Sequence, residues 1–285
     1  MMAELSRALF NASYQGSHPR TDPRRLIKDR EIGRIAEEFG ISRNEAEIAA
    51  LEAEIAPARY VRNMAALDCK DQIRLLKSRA AIIGLGGLGG YVAQTLARSG
   101  VGSLVLVDGD VFEQTNLNRQ AFSTIRTLGE NKAEAALEKI RKMNPSVNLE
   151  WEGVFLDKDN AGPILKGADV IMDCLGGLDN RVLLQQAARD MEIPLISAAL
   201  AGFTGHVTVV FPGDQGLFPL IGREDDSSGE GVETDLGCPC PPVMLAASIQ
   251  CSEAVKVLTR KGQALQNKLL AFDLLDNTFQ VFDLS

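Results

Sequence analysis

IIGLGGLGG (residues 82–90), LVLVDGD (104–110), NLNRQ (116–120) and GENK (129–132) follow one another in the single stretch from Ile82 to Lys132. An apolar run meets a glycine turn. A helical segment from Leu88 to Ser99 follows, then a second apolar run that ends in acids, then a basic loop. The glycines Gly84, Gly86 and Gly89 are spaced G-x-G-x-x-G between a predicted strand and a predicted helix. Glycine permits a tight turn and close approach of a ligand to the backbone, and the helix start supplies free N–H groups and partial positive charge. The stretch reads as one strand–turn–helix–strand unit with a nucleotide site on it.

Working outward, strand and helix keep alternating downstream. A helix is expected over about 130–142, a strand near VNLEW, a short helix, the strand ADVIMDC, a helix over about 180–190 and the strand PLIS. That order predicts an α/β doubly wound, Rossmann-like sheet, mostly parallel, with helices on both faces. HVTVVF (206–211) alternates and reads as a strand that turns antiparallel. KLLAFDL and TFQVFDL, joined at Asp276–Asn277, read as antiparallel C-terminal strands. Residues 213–242 read as a long acidic loop, and a largely apolar helix is expected from about Val243 to Arg260.

Upstream, residues 1–23 carry Asn11, Ser13, Gly16, Ser17, Pro19 and Pro23 and read as a loose arm. Residues 24–56 show helical spacing at Leu26, Ile27, Ile32, Ile35 and Phe39, then Ile48, Leu51 and Ile55, with a break at Gly40 and Ser42. Two short helices are expected there. IAEEFGISRNEAE has some likeness to a DNA-binding helix-turn-helix, but the window holds six basic and eight acidic residues, the wrong sign for a phosphate footprint. The chain therefore divides into an arm and helical cap over 1–56 and a nucleotide-binding domain over 57–285, with Pro57 at the boundary.

A net charge of −8, from 30 basic and 38 acidic residues, argues against a general nucleic-acid or anionic-membrane surface. No apolar run approaches the roughly 20 residues that span a bilayer. MMAELSRALFNAS lacks the order of a secretory signal, and five cysteines, an odd and sparse number, suit reduced thiols in a cytoplasm.

Asp108 ends the second strand, where a carboxylate can accept the hydroxyls of a ribose. That placement does not separate NAD from ATP. Asn116, Arg119 and Lys132, flanking the loop beyond it, do. A dinucleotide dehydrogenase needs few cations there, because its pyrophosphate lies on the glycine turn. A triphosphate whose pyrophosphate departs needs neutralisation as the bond breaks.

IIGLGGLG, the D-G-D of Asp108–Asp110, NLNRQ, the G-x-x-K of GENK and a later Asp–Asn pair together resemble the ThiF/MoeB/HesA family, bacterial relatives of ubiquitin-activating enzymes. The resemblance runs from about Arg59 to the C-terminus. It implies ATP-dependent adenylation of the C-terminal glycine of a small ubiquitin-like sulfur-carrier protein ending in Gly-Gly, with release of pyrophosphate. By that resemblance Gly87 contacts ATP through its backbone and Asp108, with Asp110 beside it, holds the ribose side. Thr115, Asn116, Leu117, Asn118 and Arg119, followed by Gln120, wrap the phosphates, and Lys132 lies on them. Asp179 and Asn180, in GGLDNR, match the Asp–Asn pair, with Asp179 placing Mg²⁺. Arg62, in RYVR, matches an arginine that reaches the ATP of a partner subunit, which implies a homodimer. The partner's terminal carboxylate attacks the α-phosphorus, giving a mixed anhydride.

The sequence also departs from the family. Many relatives carry two Cys-x-x-Cys pairs for a structural zinc and this chain has none, so no such zinc is expected. Cys238 and Cys240, in the loop before the apolar helix, are candidates for a thioester or persulfide step on an accessible, mobile segment. Cys174 and Cys251 read as packing residues. Asp173–Cys174 is separated from Asp179–Asn180 by LGGL, longer than usual, which makes Asp173 the reserve acid. His18 and His206 read as non-catalytic, His206 as structural or exposed. Two other functions share part of the pattern: an NAD-dependent oxidoreductase, which leaves Asn116, Arg119 and Lys132 unexplained, and a nucleotide-binding regulatory homologue without adenylating activity.

Overall fold

Glycine and Ser42 divide the N-terminal helical region as their chemistry requires. Gly40 takes the left-handed conformation (φ 65°) that ends α2 (Asp29–Phe39). Ser42 then opens α3 (Arg43–Glu52) through a capping box with Glu45, serine side chain and glutamate side chain each meeting the other's backbone N–H. In this computed structural model the described residues are 2–16, 25–177, 179–216 and 233–284, with Asp179, Glu233 and Thr234 described by their backbone only.

The expected loose arm is corrected. Met2–Ala12 is a helix, α1, and Tyr14–Gln15 is a short strand, β1. The turn-forming residues begin only at Asn11. Before them Leu5 and Leu9, four apart, make one apolar stripe, and both are buried beside Ile32, Ile35 and Ala50 of the following helices. A stripe that narrow gains its stability from tertiary packing rather than from local propensity. His18 lies outside the described residues. β1 pairs antiparallel with β2 (Arg25–Ile27), and β2 pairs parallel with β3 (Ile55–Pro57).

After α4 (Cys69–Lys77) comes an eight-stranded sheet. Its parallel strands are β4 (Arg79–Ile83), β5 (Ser103–Val107), β6 (Asn148–Glu152), β7 (Val170–Asp173) and β8 (Leu195–Ala201). Three antiparallel strands extend it, β9 (Thr204–Val210), β10 (Lys268–Asp273) and β11 (Thr278–Asp283). The order β11-β10-β9-β8-β7-β4-β5-β6 agrees with the doubly wound, mostly parallel sheet read from the alternation. The helices are α5 (Gly87–Ser99), α6 (Lys132–Met143), α7 (Ala161–Leu165), α8 (Asp179–Asp190), α9 (Glu233–Leu236) and α10 (Cys240–Thr259). Because the inner strands are buried on both faces, they read as continuous apolar runs. One face packs Ile82, Leu104 and Met172 with Val92, Ile140 and Ala247, and the other packs Ile83, Val105 and Ile171 with Leu165 and Leu184.

The chain runs outward from β4 through β5 to β6, then returns to the far side of β4 for β7 and β8. The crevice between the carboxyl ends of β4 and β7 is therefore the topological switch point, where open α/β sheets bind ligands. Among the described residues no helix is long and apolar enough to cross a membrane.

The α2–α3 pair is joined by buried polar contacts to α4, to the turn at Tyr60 and to the loop before the strand Asn148–Glu152. Asn44 donates to the carbonyl of Leu76 (3.0 Å). The fully buried Glu47 accepts from the hydroxyls of Ser146 (2.8 Å) and Tyr60 (3.2 Å) and faces Arg59, which also pairs with Asp29. Burial pushes the Glu47 carboxyl up to about 7 from its ordinary 4.5, against the opposing pull of Ser146, Arg59 and Tyr60. A raised carboxyl means that the folded chain holds the proton more tightly than the unfolded one. The resulting stabilisation is fully present below the ordinary value and is lost as pH rises through about 7. Replacing Glu47 with Gln removes this titration. In denaturant unfolding the wild type is expected to lose about 2 to 3 kcal/mol more than Glu47→Gln between pH 5 and pH 8. Parallel pH profiles for the two proteins would rule the linkage out.

Candidate active site

The glycine turn is held by contacts that admit no side chain. A Cβ on Gly89 would stand 1.8 Å from the Gly84 carbonyl oxygen, and one on Gly84 would stand 2.7 Å from the Cys174 carbonyl oxygen. Gly84 also has φ 89°, in the left-handed region that favours glycine. These approaches draw the start of α5 against β4 and bring the loop after β7 to the same point. α5 begins at Gly87, which lines the crevice, and the first-turn N–H groups of a helix have no acceptor inside it.

A cavity of about 1040 Å³ opens there. Gly84, Gly86 and Gly87 form one wall, while Asp108 and Asp110 come from the end of β5. Arg119, Gln120 and Lys132 converge from the loop and from the first residue of α6, and Asn180 and Arg181 come from the start of α8. The cavity then continues along β8 and β9 to β10 and β11, past Leu200, His206, Phe272 and Phe282. Gly89 supports the turn from beneath and is not on the wall.

Each polar group is placed by the backbone around it. Asp108 is buried and accepts from the Leu85 N–H (2.6 Å) and the Asp110 N–H (2.8 Å). Burial raises its carboxyl above the ordinary value, while the two N–H groups and Lys132 oppose the rise. Asn131 caps α6 with its side-chain oxygen and donates to the carbonyls of Asp108 and Asp110 (both 3.2 Å). GENK thus ties the helix start to the acids, and Lys132 follows as the first helical residue. Its buried ammonium lies 3.0 Å from Asp110, whose side chain is 54% exposed. Gln120 lies against Gly86, and its buried carbonyl oxygen has no hydrogen-bond partner among the described residues.

Of the six residues from Thr115 to Gln120, only Arg119 and Gln120 are on the cavity wall. Thr115 and Asn118 are exposed, and Leu117 is off the wall. Asn116 is buried within the loop, accepting from the Glu113 N–H (3.0 Å) and donating to the Thr115 hydroxyl (3.4 Å). Arg119 donates to the Thr115 carbonyl (2.9 Å) and the Asn118 side chain (3.1 Å). Asn116 therefore shapes the loop, and Arg119 is the member that presents charge to the cavity. Arg62 is exposed, in the turn after Ala58–Tyr60, and does not line the cavity.

Asp179 opens α8, but its side chain lies outside the described residues. The reserve acid, Asp173, is not available to a ligand. It is fully buried, accepts from Arg181 (2.6 Å) and the Ser197 hydroxyl (2.5 Å), and does not line the cavity. The partner it meets, Arg181, follows the DN pair directly and was not singled out in the sequence. A charged residue beside a functional pair is ordinary on a solvated helix start, and only the fold shows that this one points inward. His206, read as structural or exposed, is half-buried on the cavity wall. Burial first, then Arg181, lowers its pKa, which favours the neutral ring.

The cysteines separate. Cys238 lines the cavity, and its loop is tied to the β8–β9 turn by the Gly202 N–H donating to the Gly237 carbonyl (2.7 Å). Cys240 was expected in a mobile loop. It is instead the first residue of α10, half-buried, with its sulfur 3.3 Å from the Tyr91 hydroxyl and off the wall. Pro241 and Pro242 do not delay that helix, because first-turn residues need no N–H bond. Burial pushes the Cys174 thiol well up and that of Cys251 up to about 12, as suits packing groups. Among the described residues no group of three or more His, Cys, Asp or Glu side chains is arranged to hold a metal ion.

A doubly wound sheet with a glycine turn, a carboxylate and converging cations at its switch point defines a nucleotide-binding α/β protein. The chain belongs to the ThiF family, whose model matches residues 60–285. It is 36% identical to the SAMP-activating enzyme E1 of Haloferax volcanii over 234 residues, covering 78% of this chain and 83% of that protein. It is 30% identical to the molybdopterin-synthase adenylyltransferase of Salmonella typhimurium, covering 75% of this chain and 86% of that protein. Among solved structures it shares its fold with PaaA (TM-score 0.65, 24% identity, 87% of this chain and 74% of that one). It also shares its fold with Escherichia coli MccB in a crystal with ATP (TM-score 0.64, 20% identity, 89% and 82%).

Gly89→Ala places a methyl group on the Gly84 carbonyl, so it is expected to destabilise the chain by about 2 kcal/mol or more and to remove nucleotide binding. Urea denaturation with titration of a fluorescent ATP analogue reads both, and a variant that binds like the wild type would contradict the role given to the turn.

Proposed function

We propose that this chain uses ATP to adenylate the C-terminal glycine of a small ubiquitin-like sulfur-carrier protein, releasing pyrophosphate. The observation that carries the reading is the convergence of Arg119 and the buried Lys132 on the same cavity as the glycine turn and Asp108. An oxidoreductase bound to NAD would have no use for two cations beyond the second strand. The trough that runs on to β10 and β11 leaves length for an extended peptide tail beside the nucleotide. Relatives named adenylyltransferase and activating enzyme support the same activity.

In this reading the glycine turn and the start of α5 receive phosphate oxygens, and Asp108 accepts from the ribose. The tail carboxylate attacks the α-phosphorus. A bond forms from carboxylate oxygen to phosphorus, the bond to the bridging oxygen breaks, and pyrophosphate leaves with the electron pair. No side chain needs to form a covalent bond in this step. The chain positions the reactants and stabilises the charge that develops. Lys132 is suited to this because its partner Asp110 is half exposed and can be exchanged for a phosphate oxygen.

Mg²⁺ would enter on the phosphates and require only one or two carboxylates. Asp173 does not fit that task, since its oxygens are committed to Arg181, Ser197 and the Leu175 N–H. Asp179, with Asn180 beside it, is the proposed ligand, and the ion would supply neutralisation of the phosphates. Cys238, on the cavity wall, is the better placed of the two cysteines for any later thiol step. A homodimer, with Arg62 reaching the neighbouring site, and a cytoplasmic location complete the proposal.

ATP–pyrophosphate exchange, measured with a panel of carriers ending in Gly-Gly, tests the reading. Exchange is expected with at least one carrier, and Lys132→Ala is expected to reduce it by about a hundredfold or more while the chain stays folded. Binding of NADH in place of ATP, or undiminished exchange in Lys132→Ala, would sink it. ATP binding with silence toward every carrier would favour a regulatory homologue.

A further inference from the structure

Asp179 and Asn180 stand at the head of α8 after a connection from β7 that begins at Cys174 and contains Gly176 and Gly177. Adjacent glycines lose more conformational freedom on ordering than other residues. Such a connection would not by itself hold the helix start at one distance from the sheet. One side chain spans it. The Arg181 guanidinium is buried, and its two terminal nitrogens are both committed. One donates to the Asp173 carboxylate (2.6 Å) and the Ser197 hydroxyl (3.2 Å), and the other donates to the Leu175 carbonyl.

The remaining bonds close the ring. The Ser197 hydroxyl donates to the same Asp173 oxygen (2.5 Å), and the Leu175 N–H donates to the other one (3.2 Å). The Asp173 carbonyl accepts from Gln250 (2.8 Å), which also donates to Ile196. The end of β7, the neighbouring strand β8, the start of the glycine connection and the first turn of α8 are thus joined through one planar cation. A guanidinium can do this because its donors form a rigid fork, whereas an ammonium is a single compact charge on a flexible stem.

From this ring we infer that Arg181 is the positioning residue that sets where Asp179 and Asn180 stand, an inference that rests on the adenylation reading above for its catalytic consequence. The guanidinium does face the cavity, so a direct contact with nucleotide is the competing account. Ser197 separates the two. It belongs to the ring but is fully buried and off the cavity wall, so it affects catalysis only through the ring.

The test uses the full chain with Arg181→Lys, which keeps a cation beside Asp173, and with Ser197→Ala. Hydrogen–deuterium exchange over 174–185 is expected to quicken in Arg181→Lys, with the rest of the sheet unchanged. In pyrophosphate exchange, kcat is expected to fall at least tenfold while the KM for ATP stays within about threefold. The Mg²⁺ concentration for half-maximal rate is expected to rise, and affinity for a fluorescent ATP analogue without Mg²⁺ is expected to hold. Ser197→Ala is expected to shift each readout in the same direction by less. Unchanged amide exchange in Arg181→Lys would overturn the ring's role. So would a Mg²⁺-free nucleotide affinity that falls in step with kcat while Ser197→Ala stays silent, which would mark direct contact instead. If the wild type exchanges with no carrier, the adenylation reading fails, and amide exchange still decides whether Arg181 fixes the connection.

Discussion

The carbonyl oxygen of Gly84 lies where a side chain on Gly89 would have to begin, and the carbonyl oxygen of Cys174 crowds Gly84 in the same way. Three pieces of chain meet at a separation that only backbone tolerates. This close packing places the first turn of α5 over the crevice between β4 and β7. It also sets the Leu85 N–H on Asp108, which directs that carboxylate across the end of the second strand. Without the glycines the sheet could still form from its apolar strands. The crevice would be filled, and the groups around it would have no common target.

Two cation–carboxylate pairs line or flank this crevice, and their environments give them different tasks. Lys132 and Arg181 are both buried, so each needs an acid beside it. The acid facing Lys132 is half exposed, so water can take over its charge when a phosphate displaces it. The acid facing Arg181 is sealed between β7, β8 and α10, with a hydroxyl and a backbone N–H on its oxygens. Losing that partner would strand a charge in the interior, so the pair is a permanent fixture. One pair is suited to exchange during a reaction and the other to holding geometry.

Much of this was legible from local pattern. The strand–helix alternation, the glycine turn, the break at Gly40–Ser42 and the C-terminal hairpin at Asn277 all rest on rules that act within a few residues. Asp108 was legible because a charged residue just after an apolar strand points to a sheet's carboxyl edge, and Arg119 and Lys132 through the NLNRQ and GENK motifs of the loop beyond it. The helix over Met2–Ala12 was missed because only two of its side chains bury, and their partners lie in the next two helices. The start of α10 was set too late because prolines, which break helices from inside, are harmless in a first turn.

By itself the sequence determined which face of each strand and helix is apolar, where the turns lie, and which charged groups could gather beyond the second strand. Those depend on side-chain period and on glycine's missing Cβ, both local properties. Only the tertiary structure decided that Asp173 is consumed by Arg181, that His206 and Cys238 share the cavity, and that Cys240 turns to Tyr91. It also decided that Glu47 is buried against Ser146, ninety-nine residues away. Such pairings depend on which strands become neighbours, and the burial that alters their charge is a property of the assembled layers rather than of any short segment.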